Sequence, residues 1–409
     1  MTRWIPRVLL VALVGALALP APPAAAGEDA IDQVTDVPRK GRVTLFKAQT
    51  AREEGDIAEA ARILVDFLEE HPDKDHFWLR FHLGASQLEL DEREAAMASF
   101  RKTTELEPRF SQGWLSLGQT AYDLGRYAVA AEAIRRGWET SDARPPYLLY
   151  YAAASHILAG EPARALPLLE DLVSGRRGDP ELDWYRALVS AALDTRNHER
   201  GGRAVADMLA RFPNEAPAWE LAFQFAASTG DYRQAAVALT VVSYLRPLTR
   251  EERLQLGNVY ASIGVPAEAS EWYAAALEDG GEVEEWERLA SAYLAAYESE
   301  AALATLRQAL EREPTVRLWS LLGDLHYMER NYAEAYDAFG QCVAMDETQG
   351  RAWLMQGYCA LELGRLDEAA ERLERAAGFD DHAATAAELL KRVRMMQAQA
   401  ATETASASG

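Results

Sequence analysis

The chain is poor in the residues from which catalytic and metal sites are made. Of its 409 residues, seven are histidine and two are cysteine. His71, His76 and His82 come nearest to a histidine cluster, but their intervals cross a turn and a helix start. Zinc ligands of the H-E-x-x-H kind need to lie one helical turn apart. No metal or other cofactor is expected. No G-x-x-x-x-G-K-[ST] loop, G-x-S-x-G elbow or G-x-G-x-x-G turn occurs, and no strand pattern exists on which such a loop could be mounted. An enzyme is not expected.

Positive charge is also short. Lys and Arg number 42 against 64 Asp and Glu, a formal net charge of -22. Nucleic-acid binders need a basic stripe to displace counterions, so DNA and RNA are excluded as expected partners. The acidity reads as solvated outer helix faces that keep an extended molecule soluble.

Long apolar runs are missing too. The longest, Val8 to Leu19, has twelve residues, whereas a spanning helix needs about 20. With Arg3 and Arg7 before it, Pro20 after it and Ala24-Ala25-Ala26 as a small-residue site, the run reads as a secretory signal over 1–26. Cysteine does not follow it, which excludes a lipoprotein anchor. The expected mature chain begins near Gly27, is exported, is periplasmic in a bacterium with an outer membrane, and has no membrane span; an uncleaved anchor is the alternative. Residues 27–40 are polar, carry Pro38 and read as a linker.

From there the chain repeats itself. Val316 to Gln349 contains Trp319-x-x-Leu322-Gly323-x-x-His326, then Tyr332-x-x-Ala335-x-x-x-Phe339. A frame of about 34 residues built on that unit fits ten times, with starts at Gly41, Phe77, Ser111, Pro146, Leu182, Ala216, Arg250, Val283, Val316 and Gly350. The twentieth slot holds Ala60, Ala96, Ala130, Ala165, Gly201, Ala235, Ala269, Ala302, Ala335 and Ala369, all small. Glycine fills the eighth slot at Gly84, Gly118, Gly257, Gly323 and Gly357, and proline closes units at Pro72, Pro108, Pro213, Pro247 and Pro314. Residues 41–381 thus resemble the tetratricopeptide-repeat (TPR) family. The resemblance implies an all-α fold: a TPR α-solenoid, a right-handed superhelix of about ten helix-turn-helix repeats.

Glycines at Gly55, Gly125, Gly160, Gly230, Gly264 and Gly364 mark turns between paired helices. Val189 and Phe223 occupy eighth slots where a small residue belongs, which predicts a bend or loosened seam near residues 182–230. After the repeats, 382–397 reads as a capping helix with Leu389, Leu390, Val393 and Met396 on one side, and 398–409 as a disordered tail. Cys342 and Cys359 fall on neighbouring helices of units nine and ten, and export invites a disulfide between them; two buried small hydrophobes are the alternative.

In this family the first helices line a concave face, and their second, fifth, ninth and twelfth slots contact ligands. The resemblance therefore puts Trp78, Phe81, Tyr122, Tyr147, Tyr150 and Arg186 at partner-binding positions, for a protein or peptide. The second half places Glu251, Glu284, Glu287 and Asp324 there instead. The lysine, asparagine and arginine clamp by which some relatives hold chaperone C-termini is missing from the ninth slots. Leu248-Thr249-Arg250-Glu251-Glu252 and Gly264-Val265-Pro266 are similar to TPR proteins of TonB, ExbB and ExbD-type envelope systems. The expected function is a non-catalytic scaffold for protein-protein interaction in the cell envelope. An accessory of TonB-dependent transport and a holding module in a glycan or lipid pathway are the alternatives. No oligomeric state is implied.

Overall fold

Two helices can lie close only where one of them gives up its side chain, and the eighth slots show how this chain meets that condition. The computed structural model describes residues 37–407, with side chains through 402, so the expected signal and most of the expected linker lie outside the described residues. Every regular element among the described residues is a helix. None is long and apolar enough to cross a membrane. The helices fall into two units, one ending at Thr229 and one starting at Gly230.

The first unit contains α1 (Arg39–Glu53), α2 (Ile57–Glu70), a 3-10 turn (Pro72–Lys74), α3 (Phe77–Glu89), α4 (Arg93–Leu106), α5 (Ser111–Asp123), α6 (Tyr127–Thr140), α7 (Pro146–Leu158), α8 (Pro162–Val173), α9 (Leu182–Asp194), α10 (His198–Arg211) and α11 (Ala216–Thr229). A methyl group on Gly84 would lie 2.8 Å from a ring carbon of Phe100, and one on Gly118 would lie 2.6 Å from Ile134. Each glycine is therefore the seat for a large side chain sixteen residues on, supplied by the second helix of the same pair. The fifth pair departs from this pattern: Val189 is fully buried in the eighth slot, Gly201 stands in the twentieth, and Phe225 of α11 fills the space beside Gly201. In this pair the bulk stands at the eighth slot and the glycine at the twentieth, the reverse of the other glycine-seated pairs. α1 begins two residues before Gly41, and Val37 ahead of it is buried.

The second unit contains α12 (Tyr232–Leu245), α13 (Arg250–Ser262), α14 (Pro266–Ala276), α15 (Val283–Ala295), α16 (Ser299–Arg312), α17 (Val316–Met328), α18 (Tyr332–Met345), α19 (Gly350–Glu362), α20 (Leu366–Ala376) and α21 (Asp380–Ala407). The same seats recur: a methyl group on Gly257, Gly323 or Gly357 would lie 2.6, 2.7 or 2.6 Å from Tyr273, Phe339 or Leu373. All ten residues of the twentieth slot are buried across the two units.

The turns are as regular as the seats. The fifteenth slot has positive φ in every pair, whether it holds glycine, as at Gly125 (69°), or Asp91 (59°), Arg196 (55°), Tyr297 (60°) and Arg330 (61°). The next amide donates back to the carbonyl five residues earlier, as in Arg126 to Ala121 (2.8 Å) and Glu298 to Tyr293 (2.9 Å). This is the Schellman stop, and its geometry requires the left-handed residue. Four non-glycine side chains therefore tolerate a conformation that disfavours them because the two helices on either side fix it.

Two expectations are corrected at the C-terminus. α21 starts at Asp380 and continues to Ala407, through most of the stretch read as a disordered tail. Residues 398–407 lack glycine and proline and are rich in alanine, so nothing in their chemistry stops a helix already started. The buried stripe of α21 is Ala386, Leu390 and Val393, while Met396 is 36% exposed.

Adjacent glycines on α10 give a test with opposite signs. A methyl group on Gly201 would lie 2.4 Å from Phe225, but one on Gly202 no closer than 3.9 Å. Gly201→Ala should lower stability, because overpacking of about 1–3 kcal/mol exceeds the helix-propensity gain of about 1. Gly202→Ala should raise stability by about 0.5–1 kcal/mol. Urea midpoints of the two variants check both signs, and a shift in the same direction would refute the seating of Phe225.

Candidate interaction surface

The site expected from the sequence divides once its side chains are placed. Trp78 and Phe81, on α3, are 4% and 8% exposed. Phe110, in the connection leading to α5, closes over both, with ring centroids 5.2 Å from Trp78 and 5.1 Å from Phe81. Gly113 makes room for it: a methyl group there would lie 3.0 Å from the Phe110 ring. Phe81 also meets Phe100, and Trp78 stacks on His82. These rings are the packing between repeats two and three, which corrects their assignment to an open face. Phe110 precedes the first slot of its repeat and so has no place in the slot pattern. The available signal was a phenylalanine two residues after the helix-ending Pro108.

The tyrosines are placed differently. Tyr147, in the first turn of α7, is 42% exposed, and its ring meets Tyr151 at 5.8 Å. Tyr150, half-buried, lies 6.1 Å from Tyr151. Burial pushes the Tyr150 hydroxyl up to about 12, with the Asp183 charge adding to the rise and Arg186 opposing it. The hydroxyl therefore stays protonated at neutral pH. Arg186 donates to Asp183 at 2.6 Å, one turn earlier on α9. The structure thus brings Tyr147, Tyr150, Tyr151, Asp183 and Arg186 into one neighbourhood on the first helices of repeats four and five. Sequence reasoning missed Tyr151 and Asp183; Asp183 occupies a second slot and could have been found there. Tyr122, in repeat three, is half-buried against Tyr127 at 5.3 Å, and burial holds its hydroxyl above its ordinary range. Beside it, Gln119 donates to Asp123, and its buried carbonyl oxygen has no partner.

The acidic positions of the second unit are partly engaged. Glu287 accepts from the Thr315 hydroxyl at 2.6 Å, and Asp324 pairs with Arg351 at 2.6 Å. Glu251 and Glu284 remain exposed. Five of the residues quoted for the likeness to envelope-transport proteins have a local role. Thr249 and Glu252 form a capping box on α13, Arg246 holds the Glu252 carboxyl down to about 2, Leu248 is buried, and Gly264 and Pro266 make the stop and start between α13 and α14.

Chemistry finds little footing in these arrangements. Among the described residues, no group of three or more His, Cys, Asp or Glu side chains could hold a metal. His76 caps α3 by accepting from the Trp78 amide, and burial together with Arg52 lowers His82 to about 4. Cys342 and Cys359 are free and buried, not bridged. The Cys342 thiol donates to the Val316 carbonyl at 3.5 Å, and both thiols sit in the cluster around Phe339.

Profiles described as "Tetratricopeptide repeat" match residues 81–145, 287–341 and 326–393. With the helix pairs, seats and turns above, these matches show tetratricopeptide repeats over those residues and support an all-α repeat solenoid. Among solved structures the chain is similar to MamA, at 23% identity and a TM-score of 0.37, over 40% of this chain and 96% of that one. It is similar to Cut9 in the APC/C Cut9-Hcn1 hetero-tetramer at 13% and 0.33, over 90% and 86% of the two chains. Yeast Tom70 follows at 12% and 0.34, over 87% and 95%. No curated protein matches.

Burial raises the thiols to about 11 for Cys342 and about 12 for Cys359. At pH 8 both are protonated and shielded. A thiol reagent should therefore label neither in the native protein and both after unfolding in denaturant without reductant. Failure to label after unfolding would restore the bridge.

Proposed function

We propose that this protein is a non-catalytic scaffold that grips a protein or peptide partner along the first helices of repeats three to five. The observation that carries this reading is the tyrosine group of α7: Tyr147 is exposed, Tyr150 stays protonated as a hydrogen-bond donor, and the Arg186–Asp183 pair lies one repeat on. Tyrosine and arginine are the residues that anchor interfaces, because a rigid ring or a planar fork buries much area for little lost freedom. Each ring can bury about 150–250 Å², so two of them contribute several kcal/mol before ordering costs, at roughly 25 cal/mol per Å².

The reading includes export to the cell envelope, on the strength of the charged, apolar and small-residue order of residues 1–26. N-terminal sequencing of the native protein should begin at or near Gly27. An intact Met1 in a cytoplasmic fraction would refute export without touching the interaction surface.

The surface is tested with a partner captured from envelope extract and then purified. Changing Tyr147 and Tyr150 together to alanine should weaken its binding at least tenfold by calorimetry, with circular dichroism unchanged and a lower melting temperature from half-buried Tyr150, while Tyr147→Ala alone should weaken binding with melting unchanged. Phe81→Ala should also lower the melting temperature, since it opens the packing under Phe110. Normal binding by the double tyrosine variant, with loss on charge reversal at Glu251 and Glu284, would move the site to the second unit.

A further inference from the structure

α1 departs from the other first helices of its unit in burial and in charge. The third slot is buried in each later repeat of the unit, at Leu79, Gly113, Leu148, Trp184 and Ala218. In repeat one it holds Val43, which is 50% exposed. One turn on, the sixth slot holds Phe46, 72% exposed, where repeats five and six bury Ala187 and Leu221. This edge of a first helix is where the second helix of the preceding repeat packs: a methyl group on Gly113 would lie 2.9 Å from the Thr103 side chain of α4. Among the described residues no helix precedes α1, and Val43 and Phe46 stand uncovered.

The charge is equally distinct. α1 carries Arg39, Lys40, Arg42, Lys47 and Arg52 against Glu53 alone, whereas none of the other first helices has more bases than acids. Arg52 pairs with Glu89 of α3. Arg39, Lys40, Arg42 and Lys47 are exposed. At about 3.6 residues per turn, Lys40 and Lys47 fall on one side of the stripe of Val43 and Phe46, Arg42 on the other, and Arg39 at its N-terminal end.

We infer that this edge of α1 seats an acidic amphipathic helix of a partner protein. The repeat supplies the shape, since in every later repeat of the unit the corresponding edge packs against a helix. The rim supplies the charge: four exposed bases face the occupant, in a protein whose net charge of -22 repels acidic partners elsewhere. The chain contains an example of such an occupant in α2, whose Leu64, Phe67 and Leu68 share one cluster with Leu79 of α3. α2 carries Glu59, Asp66, Glu69 and Glu70 against Arg62. A second copy is a poor occupant, because two α1 edges set bases against bases. An anionic lipid surface offers the right charge but calls for a broader apolar face than two side chains.

Fluorescence anisotropy with the purified full chain tests this. The probe is a labelled, lactam-stapled helix of about 18 residues with leucine along one side and glutamate along the other, compared with a scrambled helix of the same composition. The ordered helix should bind with a Kd on the order of 100 μM and the scrambled one at least tenfold more weakly. Val43→Ala with Phe46→Ala, and separately Lys40→Glu with Lys47→Glu, should each weaken binding at least fivefold without lowering the melting temperature. Raising salt from about 50 to 500 mM should weaken it several-fold. No binding at about 1 mM, equal binding of the scrambled helix, or binding unchanged in the double alanine variant would each overturn the proposal. So would phosphatidylglycerol vesicles, or a dimer in sedimentation equilibrium, that depend on Val43 and Phe46 while the helix does not bind; these outcomes would assign the edge to a lipid surface or to a second copy.

Discussion

The close approach of two helix backbones within the pairs of each unit is the constraint on which the rest of that unit depends. It requires a small residue at the twentieth slot, and in five pairs a glycine at the eighth slot receives a large side chain from the second helix. Once Phe100 sits on Gly84, or Phe339 on Gly323, the crossing of the pair cannot slide along either helix. The Schellman stop then becomes the economical way to reverse the chain, and even Tyr297 accepts a positive φ there. What is left for each pair to vary is its outward chemistry.

Most of the fold was legible because the seats are small residues at fixed intervals, and small residues in register are rare by accident. The turns were legible where glycine marks them and hidden at Asp91, Arg196, Tyr297 and Arg330, where flanking helices impose the same geometry on other side chains. The candidate surface was half legible. A slot number states which way a side chain leaves its own helix but not what the next connection lays over it. Tyr147 emerges where its slot puts it, whereas Phe110 covers Trp78 and Phe81 from outside the pattern. The continuation of α21 was missed for a related reason: small, polar composition suggests disorder, yet alanine propagates a helix that packing has already nucleated.

The side chains with reactive potential are largely committed to structure. His76 is a cap, His82 is a packed neutral ring, and the carboxylates at Glu252 and Asp324 hold turns or arginines. The exposed surfaces differ in kind. The first unit offers protonated tyrosines, the second unit offers exposed carboxylates at Glu251 and Glu284, and α12 offers no charge along Val237, Val241 and Tyr244. Different contacts can therefore respond to ionic strength in opposite directions.

The two unbridged cysteines have a consequence for the packing around Phe339. Cys342 and Cys359 contribute as small apolar side chains around Phe339, and their thiols are shielded and protonated. No covalent cross-link has to form before the stack is complete, and none can be broken by a reductant afterwards. With both thiols free, the packing around Phe339 draws nothing from a bond that a reductant could break.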